Sequence, residues 1–96
     1  MFLYHATPRK NRPSIDERGL LRSFSQTAGE GIWLHDWNRR RWAIGHVAKR
    51  HGVDPDDVHV YLVYVNPRHV VKHSSGVYIA YVNIPAAAMT EPTSPL

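Results

Sequence analysis

Residues 58–65 read VHVYLVYV, a run in which valine, leucine and tyrosine fall on both parities. A strand that is β-branched and aromatic on both faces needs both faces covered, so this run predicts a strand central in its sheet. Little chain is left to supply the cover. The sequence has 96 residues and no cysteine, which allows one domain burying about two thirds of its unfolded surface, with no disulfide to reinforce it. Three tryptophans and five tyrosines therefore have to carry much of the apolar core. The missing thiols exclude a cysteine nucleophile and a cysteine-based zinc ribbon. We expect one domain over residues 1–90 and, in residues 91–96 (EPTSPL), a flexible tail with nothing to pack.

Elsewhere the pattern is punctuated clearly. Residues 1–5 read as a short strand, and residues 8–13 as a basic loop between two prolines. Ser14 and Glu17 have the spacing of a capping box and Gly19 that of a helix stop, which predicts a short helix with Ile15 and Leu20 turned inward. Residues 23–31 are small and polar, hence a loop, and residues 31–35 read as a second strand. Asp36 has the chemistry to cap a helix running to His51 and stopping at Gly52. Ala43, Ile44, Val47 and Ala48 share one face of it, with Arg39, Arg40, Lys49 and Arg50 mostly off that face. After a turn at residues 54–57 and the run at 58–65, Asn66-Pro67 breaks the chain. Residues 69–73 are extended, 74–76 a turn, 77–82 a strand, and 86–89 one helical turn. Helices and strands segregated in this way predict a small α+β domain on a mixed or antiparallel sheet.

Among seven histidines, His46 and His51 are five apart, and His69 and His73 four apart on an expected strand. Neither spacing is that of a zinc signature and no acid stands in register to complete a site, so no metal is expected. No serine lies in a G-x-S-x-G elbow, and Gly29-Glu30-Gly31 lacks the rest of a phosphate loop. All eight acids fall in expected caps, turns, loops or the tail, whereas a catalytic carboxylate pair usually projects from element ends into a cleft. The net charge of +4 suits an anionic partner such as a phosphate, a dinucleotide or a nucleic acid. Arg39, Arg40 and Arg41 between Trp37 and Trp42 resemble the basic and aromatic mixture of single-strand binders, although tryptophans at a helix start also suit a core. No stretch approaches the ~20 apolar residues of a membrane span, and no charged-then-apolar leader pattern opens the chain. We expect a cytoplasmic protein without a membrane partner.

Three pieces remain: Tyr4-His5-Ala6-Thr7 followed by Ile15 and Gly19-Leu20; Gly31-Ile32-Trp33-Leu34-His35-Asp36 followed by Ala43; and residues 76–82 leading to Ile84-Pro85. In that order they resemble the "H-G-T … I … G-L", "G-I-Y-F-A-D … A" and late-strand I-P elements of the ADP-ribosyltransferase superfamily. That fold is shared by diphtheria-type toxins, poly(ADP-ribose) polymerases and RNA 2′-phosphotransferases, and the resemblance spans residues 2–89. It implies a small α+β fold with mixed or antiparallel sheets and two helices flanking an NAD cleft, and NAD as substrate without a metal. His5 would donate a hydrogen bond to a ribose hydroxyl, and the backbone at Ala6, with Thr7 after it, would hold the nicotinamide amide. Trp33 would wall the nicotinamide, Ala43 would stand where the family has its alanine, and Arg9, Arg12 or Arg22 would meet the pyrophosphate. The family's nicotinamide-stacking tyrosine falls on Gly45 or His46. Its late-strand glutamate falls within a residue of Val77, where this sequence has no acid.

With His5, Trp33 and Val77 in the catalytic positions, the resemblance implies transfer of single ADP-ribose units to a macromolecular acceptor, protein or nucleic acid, with release of nicotinamide. Losing such an electrostatic partner commonly costs about 10²–10³ in rate, which argues against polymer formation. There are two alternatives. One is an inactive copy of the fold that binds a protein or nucleic acid through its basic helix, its cleft filled by Trp33, Phe24 or Tyr78. The other is an RNA 2′-phosphotransferase-like enzyme.

Overall fold

The structure, a computed structural model, describes residues 1–22 and 31–90. Strand β1 (Phe2–Pro8) passes through a 3-10 turn (Arg9–Asn11) into helix α1 (Arg12–Arg18). Strand β2 (Ile32–His35) and a second 3-10 turn (Trp37–Arg39) lead into α2 (Arg40–His51). Strands β3 (Val58–Tyr64), β4 (Val70–Ser74), β5 (Val77–Ala80) and β6 (Met89–Thr90) complete the chain. The strands form one six-stranded sheet in the order β4-β5-β2-β1-β3-β6, and each neighbouring pair is antiparallel. The fold is thus α+β with two helices, and the mixed or plural sheets of the sequence expectation give way to a single antiparallel one.

Each face of the sheet carries its own core. On one side Leu3, Leu34, Tyr61 and Val63 pack with Ile15 of α1 and with Leu20 and Ile84. On the other, Ala6, Val58 and Val60 pack with Ala43 and Ala48 of α2. β3 contributes to both, which accounts for its double-sided apolar run. Its lateral place differs from the expectation: among the described residues only the two-residue β6 lies beyond it. Double-sided burial reflects what lies above and below a strand, and it does not require long neighbours on both edges.

The segment around α1 also departs from its pattern. Ser14 does not cap; the helix starts two residues earlier, at Arg12, with Pro13 in the first turn, where its missing N–H costs nothing. Asn11 at the N-cap position turns its Nδ2 to donate to Thr7 Oγ1 at 3.1 Å. At the other end Gly19 has φ +77° and donates its N–H to Ile15 O at 2.8 Å. A Cβ there would collide with the carbonyl oxygen of Ile84, whose segment bridges to Leu20 by two backbone bonds of 2.8 and 2.9 Å. Asp36 caps the 3-10 turn that leads into the second helix, its Oδ1 accepting from Arg39 N at 3.1 Å; α2 itself starts behind Arg39 without a side-chain cap bond, and Gly52 ends it in the left-handed conformation, as expected. Among the described residues no helix is long and apolar enough to cross a membrane.

Candidate functional site

β1 pairs with β3 along its whole length, but its register with β2 contains only Tyr4↔His35. Past that pair the strands part. A cleft of about 660 Å³ opens there, with residues 5–8 on one wall and residues 31–35 on the other. The far wall comes from α2 through Trp42, Ala43, His46 and Arg50, and the rim includes His73 and Val77.

His5 spans the gap. Its Nδ1 lies 2.8 Å from the carbonyl oxygen of Trp33. A carbonyl only accepts, so Nδ1 carries the proton and donates, which leaves the lone pair on Nε2. Burial lowers the pKa of His5, with the Trp33 carbonyl pulling the other way, and the ring is neutral at pH 7. A ribose hydroxyl meeting Nε2 would therefore be the donor. That reverses the direction expected from the sequence, because the bond His5 already makes consumes its N–H.

His35 is 3% exposed, stacked on Tyr4 at 5.9 Å between centroids, and its Nε2 has no hydrogen-bond partner. Burial, and next the proximity of His5, push its pKa down to about 4, with Asp36 opposing. Trp33 is half-buried with its ring against His73 at 4.7 Å, and its Nε1 is likewise buried without a partner. Each unpaired buried polar atom costs about 1–3 kcal/mol; Arg40 Nε, outside the cleft lining, is a third such atom among the described residues.

The other expected residues sort as follows. Val77, buried on β5, pairs with His35 and lines the cleft. Ala6 and Ala43 line it too, but both also pack in the α2-side core, which by itself demands small residues. Thr7 is buried with its hydroxyl oxygen accepting from Asn11. Of the two positions matched to the stacking tyrosine, His46 is on the wall and Gly45 is not. Arg9, Arg12 and Arg22 are absent from the described wall. Arg9 Nη2 donates to Asp56 O at 3.2 Å, and Arg22 donates its backbone N–H to Asn83 Oδ1 at 2.8 Å. Arg12, drawn into the early start of α1, sits beside the Tyr61 hydroxyl that donates to Asp16 at 2.7 Å. The arginine on the wall is Arg50.

Tyr78 packs with the core on the α1 side and does not fill the cleft, whereas Phe24 lies outside the described residues. No Asp or Glu is found among the described residues of the wall. No group of three or more potential metal ligands occurs among the described residues. Sequence reasoning missed Trp42 and Arg50 as wall residues, although they share one helical face with His46 at successive four-residue spacing. His35 and His73 carried no comparable signal. No protein-family model matches the chain, and no curated protein matches it.

Proposed function

We propose that the chain binds NAD in this cleft and transfers a single ADP-ribose unit to a macromolecular acceptor. The observation that carries the reading is the meeting of His5, Trp33 and Val77, from three strands far apart in sequence, around one cleft. Its volume of about 660 Å³ falls within the about 300–1,000 Å³ of small-molecule sites. In this reading His5 Nε2 accepts from a ribose hydroxyl, and Trp33 walls the nicotinamide. Arg50, with His46 and His51 on the same wall, faces the phosphates. Bound NAD supplies a glycosidic bond whose cleavage releases neutral nicotinamide with the bonding pair, the ribose carbon passing to the acceptor's nucleophile. No carboxylate on the described wall steadies the positive charge that develops at that carbon. Transfer is accordingly slow and confined to single units, and an anionic acceptor group supplies part of the missing charge.

The absence of Asp and Glu among the described residues of the wall equally favours a second reading, an inactive copy of the fold that holds a ligand or partner without reacting. Calorimetric titration of NAD into the wild type and into His5→Ala tests the first reading. Saturable binding that disappears in His5→Ala supports it, and no binding at millimolar NAD overturns it. Nicotinamide release from the NAD-bound wild type then separates the enzyme from the inactive copy.

A further inference from the structure

We infer that the outer face of α2 is a binding surface for single-stranded nucleic acid. Trp42 is 46% exposed, and its ring stacks on His46 at 5.1 Å with 16° between the planes. Both residues line the cleft, so this flat aromatic ledge stands at its mouth. Beside it runs a second row, Arg41, Gly45 and Lys49, exposed and spaced one turn apart. A Cβ on Gly45 would meet no atom within 4 Å; nothing in the packing asks for a glycine there, although glycine weakens a helix interior. The result is a gap between two cations through which a chain can approach the helix closely.

The neighbouring arginines do not belong to this surface. Arg39 Nε donates to Ser75 O at 2.9 Å. Arg40 Nη1 donates to Trp37 O at 2.8 Å while its guanidinium lies 4.0 Å over the Trp37 ring, and Trp37 packs on Tyr4. The surface is therefore carried by Arg41, Trp42, His46 and Lys49, not by the run of three arginines.

The occupant follows from charge and shape. α2 contains no Asp or Glu, so a polyanion is favoured. The paired rings offer a stacking platform of the kind unpaired bases use. A duplex keeps its bases stacked inside, and an acidic peptide supplies charge but no base. That a strand held here is also the acceptor rests on the NAD reading; the binding itself does not.

The test is fluorescence anisotropy of a short labelled oligonucleotide, as RNA and as DNA of one sequence, titrated with the full chain in the absence of NAD. We expect saturable binding that weakens as salt is raised. Trp42→Ala should weaken it about tenfold or more, and the Arg41→Ala/Lys49→Ala double variant should reduce the slope of log affinity against log salt by about 1.4. Arg68→Ala, on an exposed turn remote in sequence from α2, should leave it unchanged. Circular dichroism of each variant verifies folding, which substitution at these exposed positions leaves intact. Absence of binding at low salt overturns the inference, as does a Trp42→Ala variant that binds like wild type. Equal binding of duplex or of polyglutamate overturns it too. Because NAD is absent throughout, a strand that binds to a chain failing the NAD titration leaves this inference standing and removes only the enzymatic reading.

Discussion

The His35 ring is buried against Tyr4 with its Nε2 unpaired, and its pKa stands at about 4 instead of 6.5. The consequence for stability has a definite sign. Between these two values the unfolded chain holds a proton that the folded chain refuses, so stability falls as pH drops from 6.5 to about 4. Above that window the contribution is complete, and below it nothing more is lost from this group. At about 1.4 kcal/mol per pKa unit the loss is on the order of 3 kcal/mol, and His5, also lowered by burial, adds to it with the same sign. Urea unfolding across the window should show a falling midpoint in the wild type and a clearly shallower fall in His35→Leu. An unaltered slope in that variant would assign the acid sensitivity elsewhere. His5 was legible in the sequence because a resemblance pointed to it. His35 was not, because whether an imidazole nitrogen finds a partner depends on Tyr4, His5 and Val77, none of them near it in the chain.

At the level of elements, the capped 3-10 turn that leads into α2 is tied to the β4–β5 hairpin. Gly76, at φ +74°, accepts at its carbonyl from Asp36 N at 2.9 Å. A Cβ on it would lie 2.7 Å from Arg39 Cγ and 2.8 Å from Asp36 Oδ1. Gly76→Ala should therefore destabilise by about 1–3 kcal/mol, from the left-handed backbone and the displaced cap together. Gly45→Ala, in the open middle of the same helix, should stabilise by about 1 kcal/mol. Thermal denaturation of the two variants should move the midpoint in opposite directions, and a loss in both would show that Gly45 is needed by the packing. Asp36 as a capping residue and Gly52 as the stop of α2 were legible, since each acts through residues within a turn or so of it; that the cap closes a 3-10 turn ahead of α2 was not. The capping box of α1 misled for a physical reason: Pro13 favours the first helical turn, and that moves Ser14 inside the helix.

Across the whole molecule, one sheet serves two cores, and the chain has little stability to spare. Leu34 is 1% exposed and packs in the α1-side core, on the strand whose neighbours carry Trp33 and His35 into the cleft. Leu34→Ala should cost about 2–5 kcal/mol, a large share of the roughly 5–15 kcal/mol typical of a domain. At about 4–8 °C per kcal/mol for a domain near this size, calorimetry should show the midpoint lowered by about 10 °C or more; a smaller shift would mean that the core closes around the gap.

By itself the sequence determined the two helices and most of the strands, that Gly52 stops α2, and that β3 is covered on both faces, because periodicity and left-handed glycines act within a few residues; the end of β1 at Pro8 and the short β6 escaped it. Only the tertiary structure decided that β1 and β2 share a single register pair before parting, that β3 stands next to the edge, and that Arg50, not Arg9, Arg12 or Arg22, reaches the cleft. Those outcomes depend on how α1 and α2 seat against opposite faces of one sheet, a balance of burial summed over residues dozens of positions apart.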